Sequence, residues 1–462
     1  MTGNRPPADT LGLTEDQMRK LGYQVVDMVV KHLAGRSDEP AIAVASRKIV
    51  EAAVGGAVPQ EPSDPAAALV ALRDLVLPYM QHGDHPRYFA RVPGPSSFAA
   101  ILGDWLATGY NAMAASWIGG SGPATVELIV IDWLRQLLGL PEGTQGIVLS
   151  GGSMANFTAF AACFAMKGRG AVYLNDQTHS SLKRNFTALG LREEDIRILT
   201  TGPDLKFDMG QLAAAIANDR ANGKKPVMIV ASAGTTNTGT CDPLPEVSAL
   251  CKANDMWMHV DGAYGAPAAL TPKGHAQLAG IELADSLVLD PHKWLFQPYD
   301  CGCVLVRHAG ALERAFTMSP EYLKDTMGGD NEVDFFNRSL ELSRKTRALK
   351  MWMTFKTHGL ARIAAAIERG IELAEIAQKL IEKDSATWEL VTPAQIGIVT
   401  FAKRDFKPGQ HAAMVNAITE SRYATLTSTV IGGRSVLRLC TINPNTTEAD
   451  ISETLKRLAA VR

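Results

Sequence analysis

Seven short apolar runs between residues 145 and 306 constrain this chain more than anything else in it. They read GIVLS, AVYLN, IRILT, PVMIVAS, MWMHV, SLVL and CGCVLV, and polar or helix-forming segments separate them. A sheet with one wet face alternates apolar and polar residues; strands covered on both faces read as near-continuous apolar runs. The pattern therefore predicts an α/β unit built on a mostly parallel sheet with helices on both faces. Ligands of such sheets bind beyond the carboxyl ends of the strands, so the residues after each run are the ones to read.

After GIVLS come Gly151, Gly152 and Ser153, opening a helical segment. Bare N–H groups at a helix N-terminus, with a hydroxyl beside them, make an anion cradle. After AVYLN comes His179, and after PVMIVASAG come Thr235 and Thr236. Asp261 follows MWMHV, ahead of Gly262 and Ala263, and SLVL ends at Asp290, His292 and Lys293. Singly, each has a plain explanation: a loop histidine, a helix cap, turn threonines, a surface lysine with its stem on Trp294. Together they set an anion cradle, a carboxylate, an imidazole and an amine along one sheet edge.

Pyridoxal 5'-phosphate suits that set. Its phosphate needs the cradle, and its aldehyde needs a lysine amine. Its ring nitrogen stays protonated beside a carboxylate, and a flat ring against its face holds it in place. Lys293, Asp261 and His179 match these last three needs.

The chain resembles the group II pyridoxal-phosphate-dependent amino-acid decarboxylases, among them the aromatic-L-amino-acid decarboxylases. HVDGAYG, DPHKWL and DCGCVLV carry the resemblance in order, and HPRYFA, SWIGGSGPATVELIVIDWL, DQTHSSLK, PEYLK and RALKMW extend it over about residues 14 to 450. It implies a fold type I enzyme: a seven-stranded-type, mostly parallel sheet, a small C-terminal α+β domain and an N-terminal helical arm. The implied domains are 1–84 for dimerisation, 85–345 for the cofactor and 346–462. It also implies a homodimer with the active site at the interface. By motif, Lys293 would anchor the cofactor and Asp261 would face the pyridinium nitrogen. Ala263 would lie under the ring and His179 would stack on its other face. Gly152 and Ser153 would bind the phosphate, with Thr236, Asp290 and His292 also near the cofactor. Tyr322 in PEYLK would return a proton to Cα, and KDTMGGDNEVD after it would form a closing lid. Arg91, Pro93, Gly94, Met113 and Arg438 are candidates for the substrate. Arg438 would meet its carboxylate, or be an ordinary strand arginine on a solvent face.

The implied activity is decarboxylation of an L-amino acid, most readily an aromatic one. Two departures from the family pattern bear on this. Some relatives place asparagine where this chain has Asp290; a carboxylate beside a phosphate is unfavourable, so Asp290 is expected to contribute backbone only or to point elsewhere. FARVPGPSS puts Arg91 and Val92 where aromatic residues are expected, and Met113 and Ala115 are small for a second wall. An acidic substrate read by Arg91 is therefore an alternative, as are an aldehyde-forming or aminotransferase-type enzyme and a cofactor-binding regulator.

The remaining sequence sets bounds. Net charge is −2 over 462 residues, so no broad basic surface suits nucleic acid or anionic membrane. Six scattered cysteines make no disulfide framework, and no neighbouring histidine cluster makes a zinc motif. MTGNRPPADT lacks the blocks of a secretory signal and no run reaches membrane-spanning length, so a cytoplasmic protein is expected. Thr14 to Gln17 reads as a capping box before an apolar-striped helix, and further helices are expected over 66–81, from Pro123, over 345–383, near 410–421 and from 447.

Overall fold

The computed structural model describes residues 11–317, 329, 332–405, 407 and 409–461. Its larger sheet contains β1 (Gln145–Leu149), β2 (Ala171–Asn175), β3 (Ile196–Leu199), β4 (Pro226–Ser232), β5 (Trp257–Asp261), β6 (Ser286–Leu289) and β7 (Gly302–Val306). Their order is β1-β7-β6-β5-β4-β2-β3. Only β7 runs against its neighbours, pairing antiparallel with both β1 and β6. All seven residues of β4 are buried, which is why its sequence shows no alternation.

Chain order and sheet order diverge after β1. The chain leaves one edge, crosses to β2 on the far side, and returns through β4, β5 and β6. The carboxyl ends of β1, β5 and β6 thus open on one side, with β7 starting among them. A glycine contact closes that corner: a Cβ added at Gly302 would sit 2.4 Å from the Gly151 Cα. No larger residue lets β7 begin so close to the turn after β1.

A second sheet holds β8 (Trp388–Gln395), β9 (Ile398–Lys403), β10 (Thr427–Ile431) and β11 (Arg434–Cys440), all antiparallel in the order β10-β11-β9-β8. The long helix Ala348–Lys383 packs on this sheet and on the helices Phe98–Gly109 and Trp117–Leu137. It bends at Gly359, whose φ of +68° suits a residue without a Cβ. An ion pair buried on both sides joins the helix Trp117–Leu137 to β1. Arg344 donates to both Glu127 oxygens at 2.7 and 2.8 Å, and Glu127 also accepts from the Val148 N–H.

At the N-terminus, Thr14 caps the helix Glu15–Gly35 through the expected box, yet no residue of that helix is buried. The helix expected over 66–81 is shorter. It spans Pro65–Ala71 and opens into a wider turn over Leu72–Val76, which Leu77 closes by donating to the Leu72 carbonyl; Pro78, which has no N–H to donate, follows at once. The helix expected to open at Pro123 begins at Trp117, capped by the Ser116 hydroxyl. Pro123 interrupts it instead, with Gly120 out of helical conformation.

Candidate active site

The helix Gly152–Lys167 starts directly after β1, so its first N–H groups face the open side of the sheet. A Cβ on Gly152 would lie 2.9 Å from Asp290 Oδ2 and 3.2 Å from the Ala263 Cβ. Asp290 and Ala263 can therefore approach the start of this helix only because Gly152 has no side chain. A cavity of about 340 Å³ lies over it, lined among others by Ser153, His179, Thr236, Asp261, His292 and Lys293. Residues placed by five separate strand ends thus face one space.

Local contacts set each group. His179 caps the helix Ser180–Ala188, its Nδ1 accepting the Ser181 N–H at 3.3 Å and lying 2.7 Å from the Ser181 hydroxyl. That leaves Nε2 for the cavity. Burial lowers the His179 pKa, outweighing the pull of Asp261, so the ring is neutral at neutral pH. Asp261 ends β5 and accepts the Ala263 N–H at 3.0 Å. Burial raises its pKa, partly offset by that bond and by Lys293. His292 Nδ1 accepts the Cys301 N–H at 3.0 Å, which puts the ring proton on Nε2, and burial keeps the ring uncharged.

Asp290 departs from expectation. Its carboxylate neither points away nor leaves only backbone at the site. Oδ2 is 2.9 Å from Lys293 Nζ and 3.6 Å from His292 Nε2, while Oδ1 is buried without a hydrogen-bond partner. Burial disfavours the Lys293 charge, but Asp290 and then Asp261 overcome it and leave the pKa above the usual lysine value. The short turn Pro291–Trp294 brings the two side chains onto one side, three residues apart.

A second cavity of about 450 Å³ shares His179, Thr236, His292 and Lys293 with the first and extends toward Tyr88, Arg91, Tyr299 and Arg438. Arg438 is 2% exposed, which removes the solvent-face reading. One Nη donates to the Arg91 carbonyl, while Nε and the other Nη are buried without partners. Arg91 is exposed and donates to Gln81 Oε1 at 2.9 Å. Three expected substrate residues do not line either cavity. Pro93 is buried behind the wall, Gly94 backs onto Tyr299, and Met113 is 42% exposed elsewhere. Tyr322 and its lid lie mostly outside the described residues.

Sequence reasoning missed two supporting networks. His259 stands two residues before Asp261 on the same face of β5. It bonds Asn156 of the cradle helix at 2.7 Å and Ser286 of β6 at 2.7 Å, and Trp257 donates to the same Ser286 hydroxyl. The histidine inside HVDGAYG was the available signal, since residues two apart on a strand share a face. Asp242 accepts from Asn175, Phe207 N–H and Ser232 N–H, tying the ends of β2 and β4. Burial raises its pKa to about 6. No local pattern marked it.

Residues 50–404 match the pyridoxal-dependent decarboxylase conserved domain. The chain belongs to this family. It is 40% identical to an aromatic-L-amino-acid decarboxylase of Bacillus atrophaeus, over 98% of this chain and 97% of that one. It is 29% identical to tryptophan decarboxylase 2 of Oryza sativa subsp. japonica, over 96% and 94%. Among solved structures, Oryza sativa TDC with pyridoxal phosphate and tryptamine superposes with a TM-score of 0.91 at 26% identity, covering 97% of this chain and 98% of the other. The protein is thus a pyridoxal-phosphate-dependent amino-acid decarboxylase of fold type I. Its residues fit the family's cofactor: the N-terminus of the helix Gly152–Lys167 offers N–H groups to an anion, and Lys293, Asp261 and His179 line the same cavity.

Proposed function

We propose that the protein decarboxylates an aromatic L-amino acid to the amine and carbon dioxide. The observation that carries this reading is the convergence of Lys293, Asp261 and His179 on one cavity, in a chain with full-length kinship to an aromatic-L-amino-acid decarboxylase. When bound there, pyridoxal phosphate supplies an electron sink for the pair left on Cα as carbon dioxide departs.

Lys293 would hold the cofactor covalently, and Asp290, 2.9 Å from its amine, keeps the proton there until that link forms. Asp261 holds the proton on the ring nitrogen, its charge favoured once a cation sits opposite. His179 would face the ring and, being neutral, would not oppose that cation. Gly152 and Ser153 would receive the phosphate end, with Thr236 beside the cofactor. The two unpartnered nitrogens of Arg438 suit the substrate carboxylate, because a buried guanidinium without acceptors is costly until an anion satisfies it. Tyr88 and Tyr299 line the same cavity and supply aromatic surface for an aromatic side chain. Tyr322 supplies the proton to Cα.

The protein works as a homodimer in this reading. Helices Glu15–Gly35, Arg47–Val54 and Pro65–Ala71 contain no buried residue while exposing Met18, Tyr23, Val30 and Val54. Apolar faces of that extent call for a partner. Sedimentation at micromolar concentration should give twice the chain mass.

An acidic substrate is the second reading, and Arg91 is its observation. The Arg91 guanidinium is already held by Gln81, which favours the aromatic reading. The deciding experiment incubates the cofactor-loaded protein with all proteinogenic L-amino acids and identifies products by mass spectrometry. Tyramine, tryptamine or phenethylamine is expected. Production of γ-aminobutyrate or β-alanine would reverse the choice, and aldehyde with peroxide would move the protein to the aldehyde-forming class.

A further inference from the structure

Away from both cavities, the fold gathers a cluster from two distant segments. His32 lies in the last turn of the helix Glu15–Gly35, Glu39 follows that helix, and His82 and Asp84 precede the wall of the substrate cavity. One donor atom each from His32, Glu39 and His82 lies within 4.8 Å of the others. His32 Nδ1 is 2.8 Å from Glu39 Oε2, and the two imidazole centroids are 5.6 Å apart. An ordinary ion pair accounts for His32 and Glu39. It does not account for His82, which is 6% exposed with a buried Nδ1 that has no hydrogen-bond partner. A buried ring nitrogen without a partner calls for a missing water or ion.

We propose that His32, Glu39 and His82 bind a divalent transition-metal cation of the Zn²⁺ type. Two imidazoles and a carboxylate form a donor set that such ions take, with one position left for water. The donors must close to about 2 Å from the ion. The side chains of His32 and Glu39, 35% and 38% exposed, have room to make that movement. Groups behind them are already arranged to support it. Asp84 Oδ2 lies 3.8 Å from His32 Nε2, on the far side of the ring, and would hold it as carboxylates do behind metal-bound histidines once the ring moves closer. Arg36 holds Asp84 at 3.0 Å, and His85 is bonded to the Glu39 carbonyl at 3.1 Å. A bound ion would clip the N-terminal helix to the segment carrying Gln81, Tyr88 and Arg91, three residues of the substrate cavity.

The test titrates chelator-treated, cofactor-loaded protein with ZnCl₂ by calorimetry. One Zn²⁺ per chain is expected, with affinity lowered at least about tenfold in His32→Gln and Glu39→Gln. His275→Gln, an exposed histidine elsewhere, should bind as the parent does. Because His82 is buried, its own variant is replaced by a second readout: Co²⁺ should give visible ligand-field bands that Glu39→Gln abolishes. Absence of binding overturns the proposal, and so does binding that neither variant weakens.

Discussion

At the scale of single residues, the site is organised around a lysine and the carboxylate three positions before it. Lys293→Ala should leave no cofactor attached after borohydride reduction and no measurable turnover; retention of either would remove Lys293 from its role. Asp290→Asn tests the pairing. Asp290 is the main group holding the Lys293 pKa up against burial, so without its charge the amine loses its proton at lower pH. Covalent capture of pyridoxal phosphate, followed by absorbance, should then reach half-maximum at lower pH than in the parent. An unchanged or higher midpoint would mean that Asp290 does not control the amine. Lys293, Asp261 and His179 were legible in the sequence because a strand-end rule needs only local pattern. The Asp290 contact was not, since it depends on how the turn after β6 directs two side chains. Arg438 and Met113 were harder still: which face of β11 is covered, and whether residue 113 reaches a cavity, are tertiary facts.

Among elements, the strands were the most legible, because burial on both faces removes alternation and leaves unmistakable runs. Helix ends were less so. Pro123 looks like a first-turn proline, and only the Ser116 cap reveals that the helix starts earlier. The Glu127–Arg344 pair had no sequence signal, as its partners stand 217 residues apart. It locks the helix Trp117–Leu137 to β1 and so fixes where the cradle begins. Glu127→Gln leaves the buried guanidinium without a counter-charge and should cost about 3–5 kcal/mol in urea unfolding. A loss below about 1 kcal/mol, the range of exposed pairs, would show that water reaches the pair.

Across the whole molecule, buried histidines set the response to acid. His259 and His85 are lowered to about 3 and about 4, chiefly by burial, while in the unfolded chain they titrate near 6.5. Their folded values are depressed, so the stability they confer is complete above about pH 6.5 and is lost as pH falls toward 4. Asp242 has the opposite sign. Raised to about 6, it favours the fold increasingly as pH falls through that value. His179 and His292 are lowered as well and Asp261 is raised, so the histidines outnumber the acids and stability falls between pH 6 and 4. The calorimetric midpoint should fall accordingly, and His259→Asn should flatten the slope.

Strand β7 has a consequence in time. It is the last of the seven strands to be synthesised, yet it lies between β1 and β6. The cradle follows β1 and the lysine follows β6, so the two halves of the binding site stay apart until residue 306 is made and β7 slots between strands whose sequences are about 140 residues apart. Pairings over such separations form slowly. Pyridoxal phosphate therefore meets a finished pocket and cannot act as a template for the nascent chain. Chains truncated before Gly302 should capture no pyridoxal phosphate by borohydride reduction, and capture by them would overturn this order.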